Sequence, residues 1–283
     1  MRRASTCLAL LGSLAVLGLP AAAPAAETVK ISSFKAKAVP IPKPGGGTYK
    51  GTGNILGAGA AVEAEFTIEG SGYGILPSLP QGGIPPISAV NFYLPNGAKL
   101  HPQGFSTCTE AALKNQGASG CKPSSAASPV GSAEGEVTLE SEGKAERVPE
   151  QTTLQAFFGP GGGLLFFTKG STPISLEVIS SGKYVTAAPP YGPELKTIVP
   201  AVPTLPGAPL ASVKKIKIKA GAAIKQGKKL ISYGTLPKKC PKGGFPVKLE
   251  IEFGGMFGGE REFGIAPLKA APVTFNAPCP PKH

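Results

Sequence analysis

The stretch "PVKLEIEF", residues 246–253, alternates apolar and charged side chains without a break. Val247, Leu249, Ile251 and Phe253 fall on one face of an extended chain, and Lys248, Glu250 and Glu252 on the other. Successive side chains of a strand point to opposite faces, so the pattern specifies a strand with one buried and one wet face. "AAVEAEFTIEG" (60–70) repeats it, with Val62, Ala64, Phe66 and Ile68 opposed to Glu63, Glu65, Thr67 and Glu69. "VKKIKIKA" (213–220) sets Ile216 and Ile218 against Lys215, Lys217 and Lys219. Shorter strands are expected over 28–38, 48–56, 88–94, 135–142, 152–158, 164–168, 174–180, 184–187, 229–235, 261–266 and 271–276.

Gly and Pro make up about a quarter of the chain, 39 and 31 residues. Apolar periodicity persists between them, which fits frequent turns between short strands rather than disorder. "QAFFGPGGGLLFF" (155–167) reads as a hairpin whose loop glycines supply positive φ. It is no phosphate-binding loop, because no Gly-Lys-Ser/Thr opens a helix after it. The one good helix lies within "GFSTCTEAALKNQGASGCKP" (104–123). Thr107 can cap it, Glu110 can close a capping box, and Gly117 can stop it. One short helix near 108–116 among a dozen strands predicts an all-β fold. The expected architecture is an antiparallel β-sandwich, jelly-roll-like or Ig-like.

Prolines 200, 203, 206 and 209 in "IVPAVPTLPGAPL" read as an extended connector or edge strand. A single domain over 26–283 is expected. The alternative is two β subdomains, 26–188 and 210–283, joined by the Pro-rich segment 189–209.

Residues 1–25 carry a secretory signal: Arg2 and Arg3, an apolar run at 7–19, and Ala23-Pro24-Ala25 as a cleavage site. Cleavage after Ala25 leaves 258 of 283 residues and lowers the formal net charge from +12 to +10 by removing two arginines. A cleaved signal implies a secreted, extracellular or cell-surface location. The remaining basic residues are lysines apart from Arg147 and Arg261. Specific nucleic-acid readers lean on arginine's planar fork, so a diffusely basic surface is expected instead. Its natural partners are an anionic cell-wall polymer or a membrane surface.

Two residue types are missing. Without Asp, calcium loops and a Ser-His-Asp triad have no ligands or members; without Trp, sugar platforms lose their usual aromatic face. His101 is the only internal histidine, which argues against zinc sites and imidazole acid–base chemistry. No cofactor, metal or catalytic residue is assigned. Glu63, Glu65, Glu69, Glu134, Glu136, Glu140 and Glu142 invite comparison with the carboxyl pair of a glycan-acting hydrolase. Wet-face positions on strands are much the commoner reason for such glutamates. Lys215, Lys217, Lys219, Lys225, Lys228 and Lys229, within "KKIKIKAGAAIKQGKK", could grip a polyanion. They could also protect an exposed strand from pairing with another chain.

Cys108, Cys121, Cys240 and Cys279 form an even set in an exported chain, which points to disulfides. Of three pairings, Cys108–Cys121 and Cys240–Cys279 are the more compact. Spacings of this length fit neither zinc nor a Cys-x-x-Cys redox motif.

The block from "PISAVNFYLPNGAKL" through the cysteine-flanked helix to "SPVGSAEGE", with "YGTLPKKCPKGGFPVKLEIEF" later, resembles a group of uncharacterised secreted β-rich proteins of high-GC Gram-positive bacteria. Here Lys122 separates Cys121 from Pro123, where that group has Cys-Pro directly. The resemblance implies export and a sandwich-like fold and carries no functional residue. The sequence therefore predicts a secreted or surface non-enzymatic protein with a binding or structural role at the envelope.

Overall fold

A computed structural model describes residues 26–204, 208–257, 260–261 and 265–280. The expected signal peptide lies outside these residues. The chain opens with two long strands, β1 (Thr28–Val39) and β2 (Ala61–Ser71). β3 (Ile87–Pro95) and the two-residue β4 (Lys99–Leu100) precede the helix α1 (Glu110–Gln116). Five strands follow as successive hairpins: β5 (Gly131–Ser141), β6 (Lys144–Phe158), β7 (Leu164–Gly170), β8 (Leu176–Thr186) and β9 (Tyr191–Ile198). After β10 (Ser212–Ala220) come a small hairpin, β11 (Ala223–Gln226) and β12 (Lys229–Ser232), and then β13 (Gly234–Thr235). β14 (Phe245–Phe253), β15 (Met256–Phe257), β16 (Glu260–Arg261), β17 (Leu268–Lys269) and β18 (Val273–Ala277) complete the chain.

Twelve of these strands form one sheet in the order β1-β2-β10-β5-β6-β7-β8-β9-β3-β14-β17, with β18 also paired to β14. Every pairing is antiparallel. β10 and β14, both from beyond the Pro-rich segment, are integral staves of the sheet that the first half begins. Its two edges return to each other. Phe34 of β1 meets Phe275 of β18 at 6.3 Å and Phe92 of β3 at 5.9 Å, both edge to face. The result is a nearly closed barrel, which corrects the expected sandwich. Period-two alternation shows that each strand has an apolar face; it does not show whether those faces meet across two sheets or around one. Long twisted strands in a single wide sheet coil toward closure.

Local departures have local causes. The strand expected at 48–56 is a run of turns, with only Thr48 bridged to Pro42. Strand β9 went unread because Gly192 and Pro193 interrupt its pattern. The stretches 174–180 and 184–187 merge into β8, and 229–235 divides into β12 and β13. Of 261–266, residues 262–264 lie outside the described set. Helix α1 is capped by Thr109, whose Oγ1 accepts from the Ala112 amide, and not by Thr107. The reason lies next door: the Cys108 amide donates to the Phe158 carbonyl at 2.8 Å, which holds that residue against β6.

Disulfides join Cys108 to Cys121 and Cys240 to Cys279, with Cα separations of 5.3 and 5.9 Å. The first explains why "QAFF" and "LLFF" are apolar on both faces. Phe158, Leu164 and Phe166 point inward, while Phe157, Leu165 and Phe167 point outward under Leu113 and the Cys108–Cys121 bridge. The pinned helix is a lid on one outer patch of the barrel.

Candidate functional site: the barrel lumen

The interior is solid in one part and hollow in another. On β14, Ile251 and Phe253 are packed away from the cavity and are no more than 1% exposed, while Val247 and Leu249, also buried, border it. Ile216 and Ile218 of β10, Phe166 of β7 and Tyr184 of β8 also point inward, yet they retain partial accessibility. They border a cavity of about 290 Å³ with an almost wholly apolar lining. Small inward residues make the room: Ala64 on β2 and Ala133 on β5 stand where larger side chains would fill it.

At one end the cavity meets an aromatic stack. Phe158 lies 4.7 Å from Phe105 and 4.5 Å from Tyr233, ring centre to ring centre, and Tyr184 lies 6.4 Å from Tyr233. The Tyr233 hydroxyl donates to the Gly162 carbonyl at 2.7 Å, tying the stack to the β6–β7 turn. Burial pushes the Tyr233 phenol up to about 12. Burial, with Tyr233 adding to it, raises Tyr184 further. Both rings therefore present neutral hydroxyls at ordinary pH.

At the other end stands a carboxylate. Counting back from Phe158 along β6, the inward phase runs through Ala156, Leu154 and Thr152 to Glu150. The eight residue steps from Glu150 to Phe158 span on the order of 25 Å of strand. Glu150 lines the cavity and is 2% exposed. Its Oε2 accepts one long bond from the Ile174 amide at 3.4 Å, and its Oε1 is buried with no partner. Among the described residues, none of the lysine–glutamate pairs includes it. Gly170 on the facing strand leaves space for it, since a Cβ there would lie 2.2 Å from Oε1. Glu150 was not among the glutamates singled out from the sequence. The signal was present: read in phase with "LQAFF", the glutamate of "RVPEQTT" falls on the buried face.

The glutamates that were singled out behave differently. On the outer face of β2, Glu63 bridges Lys37 of β1 at 3.0 Å and Lys219 of β10 at 3.3 Å. Glu65 pairs with Lys215 at 3.1 Å, and Glu69 with Lys30 at 2.8 Å. The Lys37 hydrogen bond, outweighing partial burial, holds the Glu63 carboxyl below the usual carboxylate range; Lys215 does the same for Glu65. Glu136 pairs with Lys214 at 2.5 Å, Glu134 lies opposite Lys215, and Glu140 and Glu142 approach the β5–β6 turn. Glu63, Glu65, Glu69 and Glu136, each paired with lysine, are rungs of a charged outer wall.

The six lysines proposed as a polyanion contact divide into two groups. Lys215, Lys217 and Lys219 lie on β10, interleaved with the glutamates of β2. Strand β10 is paired on both sides, by β2 and β5, so its lysines do not guard an exposed edge. Lys225, Lys228 and Lys229 are exposed on the separate β11–β12 hairpin. His101 sits in a loop, its Nε2 3.5 Å from Thr235 Oγ1.

One further pair of carboxylates does converge, on the outer wall. The Tyr93 hydroxyl donates to Glu250 Oε2 at 2.6 Å and also neighbours Glu194, which is 6% exposed. Lys248 lies 3.8 Å from the centre of the Tyr93 ring and 2.8 Å from Glu250 Oε1. Lys196 approaches Glu194 at 3.7 Å. Burial would raise the Glu250 carboxyl, but hydrogen bonds from Lys248 and Tyr93 outweigh it and hold the group low.

Among the described residues, no three His, Cys or Glu side chains gather as a metal ion would require. Comparison with protein families, with curated proteins and with solved structures finds no match to the chain.

Proposed function

We propose that the protein is an exported, non-enzymatic binding protein that holds an apolar small molecule in its barrel lumen. One observation carries this reading: a largely apolar cavity of about 290 Å³ inside a barrel whose outer wall is charged. Interiors are normally packed to near-crystalline density, so a void of this size is a feature rather than slack. A cavity of roughly 150 Å³ suffices for benzene, so this one suits a ligand on the order of ten to fifteen non-hydrogen atoms. The polarity is the reverse of a membrane-spanning barrel, whose lipid-facing wall is apolar and whose lumen is wet. Export is supported by the signal pattern of residues 1–25 and by two disulfides, which persist in oxidising compartments.

Calorimetric titration with decanol tests the reading. Binding of one decanol per chain, weakened at least tenfold by Ile218→Trp, supports it; no binding to the wild type refutes it.

A glycan-acting hydrolase is the second reading, and Glu194 and Glu250 around Tyr93 are what favours it. That chemistry needs one carboxyl kept protonated as an acid. Glu250, held low beside Lys248, fits only the anionic role of such a pair; absence of reducing sugar released from cell-wall or plant polysaccharides would remove this reading. Anionic envelope polymers or membrane surfaces remain partners for the β11–β12 lysines. Such binding would weaken steeply with salt and on charge reversal of Lys225, Lys228 and Lys229.

A further inference from the structure

We infer that Glu150 is the polar anchor of the lumen and that the ligand is an apolar amine, its ammonium group seated on this carboxylate. The inference rests on the lumen reading and adds the chemistry of the ligand's head. A buried carboxylate accepts hydrogen bonds and donates none, and leaving an acceptor unpaired costs about 1–3 kcal/mol, more for a charged group. Glu150 is 2% exposed, lines the cavity, and has a buried Oε1 without a partner. Its other oxygen has only the 3.4 Å bond from the Ile174 amide.

Among the described residues no cation of the barrel pairs with this group, although lysines neutralise glutamates along the outer wall. The facing position is Gly170, the one residue type that leaves Oε1 room. Thr152 follows Glu150 on the same inner wall, but its hydroxyl is spent on the Ala133 carbonyl at 3.0 Å. Glu150 borders the cavity, so a partner entering from there needs only a side-chain rotation to bring the buried Oε1 round to it. An ammonium donates charge-assisted hydrogen bonds and neutralises the carboxylate at once; a hydroxyl can do only the first, and a carboxylate neither. The apolar lining beyond it accepts a hydrocarbon tail directed toward the Phe158–Tyr233 stack.

The test compares decylamine, decanol and decanoate on the purified protein at neutral pH, by calorimetry. The wild type is expected to bind decylamine at least tenfold more tightly than decanol, with decanoate weakest. Glu150→Gln should lower decylamine affinity at least tenfold and lower decanol affinity by a clearly smaller factor. Decanol bound as tightly as decylamine, or decanoate bound best, overturns the anchor while leaving the lumen reading intact. Failure of all three to bind overturns both. The wild-type comparison stands even where Glu150→Gln folds poorly. In that case Gly170→Ala, which displaces the carboxylate, should narrow the preference for amine over alcohol, and an unchanged preference counts against the anchor.

Discussion

Strands β10 and β14 look alike as sequence and do different things in the barrel. "VKKIKIKA" and "PVKLEIEF" both alternate branched apolar residues with charges. Ile251 of β14 is closed in by neighbours and is 1% exposed. Ile218 of β10 has the same inward direction but looks into the cavity. Alternation decides which face is apolar; what stands across from that face decides whether the residue packs or lines a binding site. That depends on strands distant in sequence, and on small residues such as Ala64 and Ala133 on the two strands that flank β10.

Truncation is the most forceful way to break this comparison. Ile251→Ala should destabilise by about 3–5 kcal/mol, in the range for a fully packed isoleucine. Ile218→Ala should cost roughly half as much or less, because part of its surface already faces a void. Chemical denaturation of the two variants measures both. Equal losses would mean that the lumen is as well packed as the β14 side.

The glutamates extend the same contrast between wall and lumen. Glu150→Gln replaces a buried carboxyl that no cation pairs by a neutral amide and should stabilise the unliganded protein by roughly 1 kcal/mol. Glu63→Gln breaks a bridge between Lys37 and Lys219 and should destabilise it by less than about 1 kcal/mol. A melting temperature that rises for the first and falls for the second separates lumen from wall.

Acid sharpens the wall's side of the comparison. Glu63, Glu65 and Glu250 have folded pKa values below their ordinary ones: lysine hydrogen bonds lead the lowering of Glu63 and Glu65, and those from Lys248 and Tyr93 overcome burial at Glu250. Their contribution is complete above the unfolded carboxylate value, about 4.3, and is lost as pH falls through the folded values. Stability measured between pH 6 and 3 should decline below about 4.5, and the decline should be smaller in Glu63→Gln. A profile unchanged by that substitution would remove the ladder from the account. The smallest effect expected is that of Lys217→Ala, an exposed side chain whose loss should change stability by no more than about 0.5 kcal/mol.

The sequence made the outer wall legible and the lumen not. The alternating strands, the short helix and the cysteines are local signals, and each marks a real element. Closure of the sheet is not local. It depends on β1 meeting β18 and on β10 entering between β2 and β5, pairings that no single window contains. Glu150 was missed because the expected strand began at 152, two residues too late to bring it into phase. Seven other glutamates cluster in the sequence, and four of them, Glu63, Glu65, Glu69 and Glu136, sit on the outer wall paired with lysines. Tyr233 and Phe105 were equally unreadable as partners of Phe158, since the stack joins three separate loops and strands.

The central claim is a hollow lumen that holds an apolar ligand, and two adjacent positions on β10 test it. Ile218→Trp fills the cavity, while Lys217→Trp adds the same ring to the outer wall of the same strand. Calorimetry with decanol should show binding weakened at least tenfold by the first substitution and unchanged by the second. Equal binding by wild type and both variants would contradict the claim.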